Sequence, residues 1–124
     1  MKLSRSIGVV ALLVAGGAIL SACSPAAPAV IAPVVEDVGD LPGATVELRV
    51  GQVLDITTGS LAVDSYSGTV ADPKVAEFVA GHIDATATFN PGVTGLAEGT
   101  TTVVLSNSNG GIQDVTFTVD VSAP

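Results

Sequence analysis

The chain has 124 residues, and 12 Asp and Glu against 4 Lys and Arg give it a net charge of −8 at pH 7. So acidic a chain lacks the cations that neutralise phosphates, which argues against nucleic acid as a partner. Its single cysteine excludes a disulfide within the chain, and with no Trp, one Tyr and three Phe any core must be mainly aliphatic.

The N-terminus reads as a targeting segment. Lys2 and Arg5 precede an apolar run of fourteen residues from Ile7 to Leu20, and small residues follow. Positive start, apolar middle and small-residue cleavage site make a secretory signal, and the run is shorter than the ~20 residues that span a bilayer. The sequence Leu20-Ser21-Ala22-Cys23 resembles the lipobox of bacterial lipoproteins. That resemblance implies cleavage after residue 22, lipidation of Cys23 and an extracytoplasmic protein attached to the cell membrane by its lipid. Two or more acyl chains anchor stably where one is marginal. After cleavage only Arg49 and Lys74 remain against the twelve carboxylates, a side-chain charge of −10. Anionic headgroups repel such a chain, so the lipid has to supply the membrane contact.

Residues 23–43 read as a tether. Ser24 to Pro33 holds three prolines and no charge, a composition that favours extended chain at roughly 3.1 Å per residue. Glu36, Asp37 and Asp40 continue it, and Leu41-Pro42-Gly43 marks its end.

From residue 44 to 124 Thr and Val dominate, Gly and Pro punctuate, and no helical stripe appears, the signature of strands. The alternation predicts strands over Thr45–Val50, Val53–Thr57, Leu61–Tyr66, Lys74–Val79 and Ile83–Phe89, with a stop at Asn90-Pro91-Gly92. Two stronger strands follow over Thr100–Ser106 and Gln113–Val121. In the last, Val115, Phe117, Val119 and Val121 share one face; in its predecessor Thr101, Val103 and Leu105 do. Directly opposed residues of an antiparallel pair lie on one face, so odd must meet odd, as in Val103 with Val115. Asn107–Gly111 then closes a loop of three or five residues, not two.

Seven short strands with regular turns predict an all-β chain, an immunoglobulin-like β-sandwich, with a small open barrel as the alternative. Ala71-Asp72-Pro73-Lys74-Val75-Ala76, Val93-Thr94-Gly95 through Val103 and the closing Val115–Val121 resemble bacterial group-2 Ig-like domains. The resemblance spans Val46 to Val121 and implies fold more than activity. A second resemblance is to chagasin-like inhibitors of cysteine proteases, which are also Ig-like and inhibit through loops at one end. Val50-Gly51 and Asp55-Ile56-Thr57-Thr58-Gly59 are similar to their first inhibitory segment, without its Asn-Pro and aromatic; the Arg-Pro-Trp of the last loop is also missing.

Catalytic chemistry is poorly provided for. His82 is the single histidine and lies two residues from Asp84, a spacing that a surface pair on a strand explains. No Gly-x-Ser-x-Gly elbow is present, and the Gly-rich Asn107–Gly111 lacks the lysine of a phosphate loop. Asp72, Glu77, Asp84 and Asp114 are candidate oxygen ligands for Ca²⁺, without EF-hand spacing. The expected function is therefore a non-enzymatic, lipid-anchored envelope protein without a cofactor. It is a monomer whose Ig-like module serves adhesion or structure by binding an envelope protein or glycan; the alternative is a chagasin-like inhibitor on the same sandwich.

Overall fold

The computed structural model describes residues 31–124; the signal segment, Cys23 and Ser24–Val30 lie outside the described residues. Ten strands run in chain order: β1 (Val34–Asp37), β2 (Thr45–Arg49), β3 (Val53–Thr57), β4 (Tyr66–Val70), β5 (Ala76–Val79), β6 (His82–Ile83), β7 (Thr88–Phe89), β8 (Gly92–Gly95), β9 (Gly99–Asn107) and β10 (Val115–Ser122). One four-stranded sheet has the order β1-β3-β8-β5 and a second the order β2-β10-β9-β4, while β6 and β7 form a small hairpin. Two antiparallel-rich sheets with these crossovers make an immunoglobulin-like β-sandwich. The all-β expectation is met, and the open barrel is not.

The core follows from alternation. Val46, Leu48, Val103, Leu105, Val115, Phe117, Val119 and Val121 of the second sheet face Leu54, Ile56, Ala76 and Val93 of the first, and all are buried. Phe117, 1 % exposed, is the largest side chain fully enclosed. The outer face of the second sheet is a lattice of threonines: Thr118 lies between Thr45 and Thr102, and Thr116 opposes Val104 beside Thr69. β-Branched residues suit such a half-solvated pleat.

Val115 opposes Leu105 and Phe117 opposes Val103, odd with odd as the alternation requires. The individual pairs are shifted by two residues from Val103 with Val115, and the ladder stops at Leu105, so residues 106–114 separate the paired strands in place of the expected loop of three or five. Asn107 pairs with Tyr66 of β4 instead of continuing toward β10, and the intervening loop closes on its own asparagines, with Asn109 N donating to Asn107 Oδ1 at 2.8 Å and Gly111 N to Asn109 Oδ1 at 3.1 Å.

Four expectations need correction. First, the tether does not extend to Gly43: β1 pairs in parallel with β3, and Leu41 is fully buried. Acidic residues and Pro42 disguise a segment whose apolar members, Val34, Val38 and Leu41, are spaced to reach the core. Second, Leu61–Tyr66 is not a strand. A 3₁₀ turn occupies Val63–Ser65 and the strand begins at Tyr66, running through Gly68, which reads in sequence as a terminator. Glycine is needed there because the Phe78 ring lies on its backbone, where any Cβ would collide with the ring.

Third, Ile83–Phe89 is not one strand but the hairpin β6–β7. Fourth, the stop at Asn90-Pro91 is followed at once by a strand the sequence did not show: β7 ends at Phe89, and β8 starts at Gly92 as a central strand between β3 and β5. Removing the Phe117 ring should cost about 3–5 kcal/mol through lost contacts and an unfilled cavity. Phe117→Ala is therefore expected to unfold at a much lower temperature or denaturant concentration. A melting temperature within a few degrees of the parent would contradict the packing.

Candidate functional site

Strand direction collects three connections at one end of the sandwich: residues 58–65 between β3 and β4, 80–91 between β5 and β8, and 108–114 between β9 and β10. The segment 38–44 crosses between the sheets at the same end, because Asp37 lies beside Thr57 and Gly43 N donates to Thr116 O at 2.8 Å. At the opposite end lie the β2–β3, β4–β5 and β8–β9 connections, with Arg49 and Lys74. Among the described residues Asp40, Asp64, Asp84 and Asp114 belong to the loop-bearing end, and no Lys or Arg does.

Ser65 ties the loops together. Its carbonyl accepts from Ser108 N at 2.8 Å, its hydroxyl accepts from Asn107 Nδ2 at 2.9 Å, and the hydroxyl donates to Ala62 O at 2.6 Å. Gly81, at the foot of the hairpin, is buried against the Val63 carbonyl and Pro91, and a Cβ would not fit. All three connections therefore meet at the Val63–Ser65 turn.

The hairpin is the apolar part of this end. His82 and Phe89 are cross-strand partners, and their rings stack with centroids 4.5 Å apart and planes 18° from parallel. Ile83 is 60 % exposed and Phe89 43 %. Asp84 holds the turn: its Oδ1 accepts from Thr86 Oγ1 at 2.7 Å, Thr86 N at 2.7 Å and Ala87 N at 3.0 Å. Those bonds, the Thr86 hydroxyl first, hold its pKa below the ordinary aspartate range, with a small further pull from His82.

His82 and Asp84 thus do separate jobs, one in a ring stack and one in a turn. The four candidate Ca²⁺ ligands are not brought together. Asp72 accepts from Lys74 N in the β4–β5 turn, Glu77 lies on β5, Asp84 holds the hairpin and Asp114 is in the β9–β10 loop. Among the described residues no three His, Cys, Asp or Glu are placed to hold a metal. In the first loop Thr58 is buried and donates its hydroxyl to Leu61 O at 2.8 Å, so that part of the inhibitor-like segment is spent within the loop. On the inhibitor alternative the sequence points to the loops at Thr57–Ser60 and Asn107–Gly111, and on the adhesive reading to a sheet face or edge; neither singles out Ile83 and Phe89. The signal available was Asp84-Ala-Thr-Ala, an aspartate followed two residues later by threonine in the manner of an Asx turn.

No protein-family model matches the chain, and no curated protein matches it. Among solved structures, the cysteine protease inhibitor EhICP2 of Entamoeba histolytica is 17% identical, with 73% of this chain and 96% of that chain covered and a TM-score of 0.49. Amebosin is 18% identical over 73% of this chain and 98% of that one, with a TM-score of 0.45. Domains 4 and 5 of the S-layer protein SbsC are 21% identical over 68% and 49%, with a TM-score of 0.41. Likeness at this level carries no information on activity.

Because Asp84 has a depressed folded pKa, its contribution to the hairpin is present above its unfolded pKa and lost as pH falls through the folded value. The Thr86 and Ala87 amide resonances should titrate with a midpoint below the ordinary aspartate range. Asp84→Ala should abolish that titration and weaken the His82–Phe89 cross-strand NOE. An unshifted midpoint would show that the three bonds do not form in solution.

Proposed function

We propose that this chain is a non-catalytic binding module that engages a protein through its loop-bearing end, in the manner of a cysteine protease inhibitor. The observation that carries this reading is the joining of three loops at one end around an exposed apolar hairpin. A wedge of fastened loops loses little freedom on binding, which favours affinity, and the exposed Ile83 and Phe89 of its hairpin offer an apolar contact. The similarity of Asp55–Gly59 to the first segment of chagasin-like inhibitors supports the loop end as the site, with Thr58 itself spent within the loop. An adhesive surface on the second sheet finds less support. Its outer face carries none of the exposed large apolar side chains, which are Val35, Val53, Val79, Ile83, Phe89 and Leu96.

The reading includes a lipid on Cys23 at an extracytoplasmic membrane surface, supported by the lipobox-like Leu20–Cys23. β1 begins beside Leu54 and runs toward the loops, so the chain enters the sandwich at the far end.

Purified protein should competitively inhibit a papain-like cysteine protease assayed on a fluorogenic peptide. Ile83→Asp or Phe89→Asp should weaken inhibition at least about tenfold, in the range of truncated interface anchors, without lowering the melting temperature. Lack of inhibition across a panel of such proteases at micromolar protein would overturn the inhibitor reading. Capture of an envelope protein or glycan in the same experiment would favour adhesion.

Metabolic labelling with a fatty-acid probe should mark the wild-type chain and not Cys23→Ser. An unlabelled wild-type chain would remove the lipid from the proposal.

A further inference from the structure

The outer face of the first sheet carries a groove of about 450 Å³ that borders the end of the 80–91 connection. Its floor is β3, where Val53 and Asp55 point outward opposite the buried Leu54 and Ile56. Ile31 and Pro33 form one wall, and Thr88, Phe89, Asn90 and Pro91 the other. Gly92, the cross-strand partner of Asp55, adds no side chain to the floor.

Asp55 is the one charged side chain among these largely apolar lining residues. Thr57, the next outward residue of β3, is engaged by Asp37, donating its hydroxyl to Asp37 Oδ2 at 3.0 Å. Among the described residues the Asp55 carboxylate makes no side-chain hydrogen bond and neither Lys nor Arg lines the groove. The floor therefore presents a negative charge without a cation beside it.

We propose that this groove receives a lysine or arginine side chain of a protein partner. The stem of such a residue is apolar and its head charged. Val53, Pro33 and Pro91 would cover the methylenes, Phe89 offers an aromatic ring to the cation, and Asp55 accepts the charge-assisted hydrogen bond. Charge complementarity fixes this choice of occupant: an acidic group would be repelled by Asp55, and a purely apolar one would leave the carboxylate desolvated and unpaired. The volume lies within the ~300–1,000 Å³ of ordinary ligand sites, enough for the side chain and part of its flanking backbone. The groove is a second contact surface that shares residues 88–91 with the loop end and adds β3 and the start of the described chain, and its chemistry does not depend on the partner being a protease.

The test uses the ¹⁵N-labelled full chain, solubilised in detergent, with small probes that need no protease. Nα-acetyl-lysine methylamide should shift the amides of Val53, Asp55, Phe89 and Gly92 with saturation in the millimolar range. Nα-acetyl-norleucine methylamide, with the stem but not the charge, should bind at least fivefold more weakly. Asp55→Asn, which preserves shape, should reduce lysine to the norleucine level while leaving the rest of the spectrum in place. Butylammonium, a free amine without backbone, should also bind more weakly than the lysine amide. Equal binding of lysine and norleucine, shifts spread over Asp72, Asp114 and Asp120 alike, or an unaffected Asp55→Asn would overturn the site. Butylammonium binding as tightly as the lysine amide would overturn a protein as the source of the cation. None of these results bears on protease inhibition, so the two readings fail separately.

Discussion

One crossing of the chain, from Asp37 to Ala44, organises the sandwich. It lets a single N-terminal segment contribute β1 to the first sheet and β2 to the second, each as a parallel neighbour of an existing strand. Asp37 secures the departure by accepting from Gly39 N at 2.8 Å with one carboxylate oxygen and from the Thr57 hydroxyl with the other. On arrival, Gly43 N donates to Thr116 O and Thr118 N to Ala44 O. Between these points Val38 and Leu41 turn inward and close the core under the loops. A small domain buries a modest share of its surface and is correspondingly marginal. Without disulfide or Trp, sealing an open end of the sandwich with Leu41 matters more here than in a larger fold.

The same crossing gives the molecule its polarity. Because β1 points toward the loops, the chain enters at the end that carries Arg49 and Lys74, where the Gln52 side-chain amide also donates to Ala32 O at 2.8 Å. The loop-bearing end is left with aspartates and with the apolar hairpin. Surface chemistry is divided by face as well. Threonine rows cover the second sheet, whereas Val35, Val53 and Val79 leave the first sheet partly apolar. A sandwich does not fix a function, but this distribution says which surfaces have something to offer a partner. In the proposed reading, the loop end supplies the wedge and the first sheet supplies a cation-accepting groove beside it.

Glycine shows how closely these surfaces depend on packing. Gly68 and Gly81 sit where a neighbouring group lies on the backbone, Phe78 on one and the Val63 carbonyl on the other. The first contact brings β4 and β5 together across the sheets; the second sets the hairpin against the Val63–Ser65 turn. Such glycines look like strand breakers in a sequence because the atoms that require them come from elsewhere in the chain.

The fold class and most of the second sheet were legible from the residues alone. The period-two burial of Val115, Phe117, Val119 and Val121, and its parity with Val103 and Leu105, depends only on the alternation of a pleated strand. The short strands of the first sheet were less legible: Gly92–Gly95 has two glycines and four residues, too little pattern to read, yet it is central because β3 and β5 both pair with it. The segment Val34–Leu41 read as a spacer since its three inward residues are separated by acids and their partners lie in distant strands. The loop-end site followed the same rule. The sequence marked the acidic, Gly-rich turns, but which turns share an end is decided by strand direction, and the exposure of Ile83 and Phe89 by a hairpin that Asp84 folds. Local periodicity determined the strands; non-local pairing decided their order, the sealed end and the surfaces left for binding.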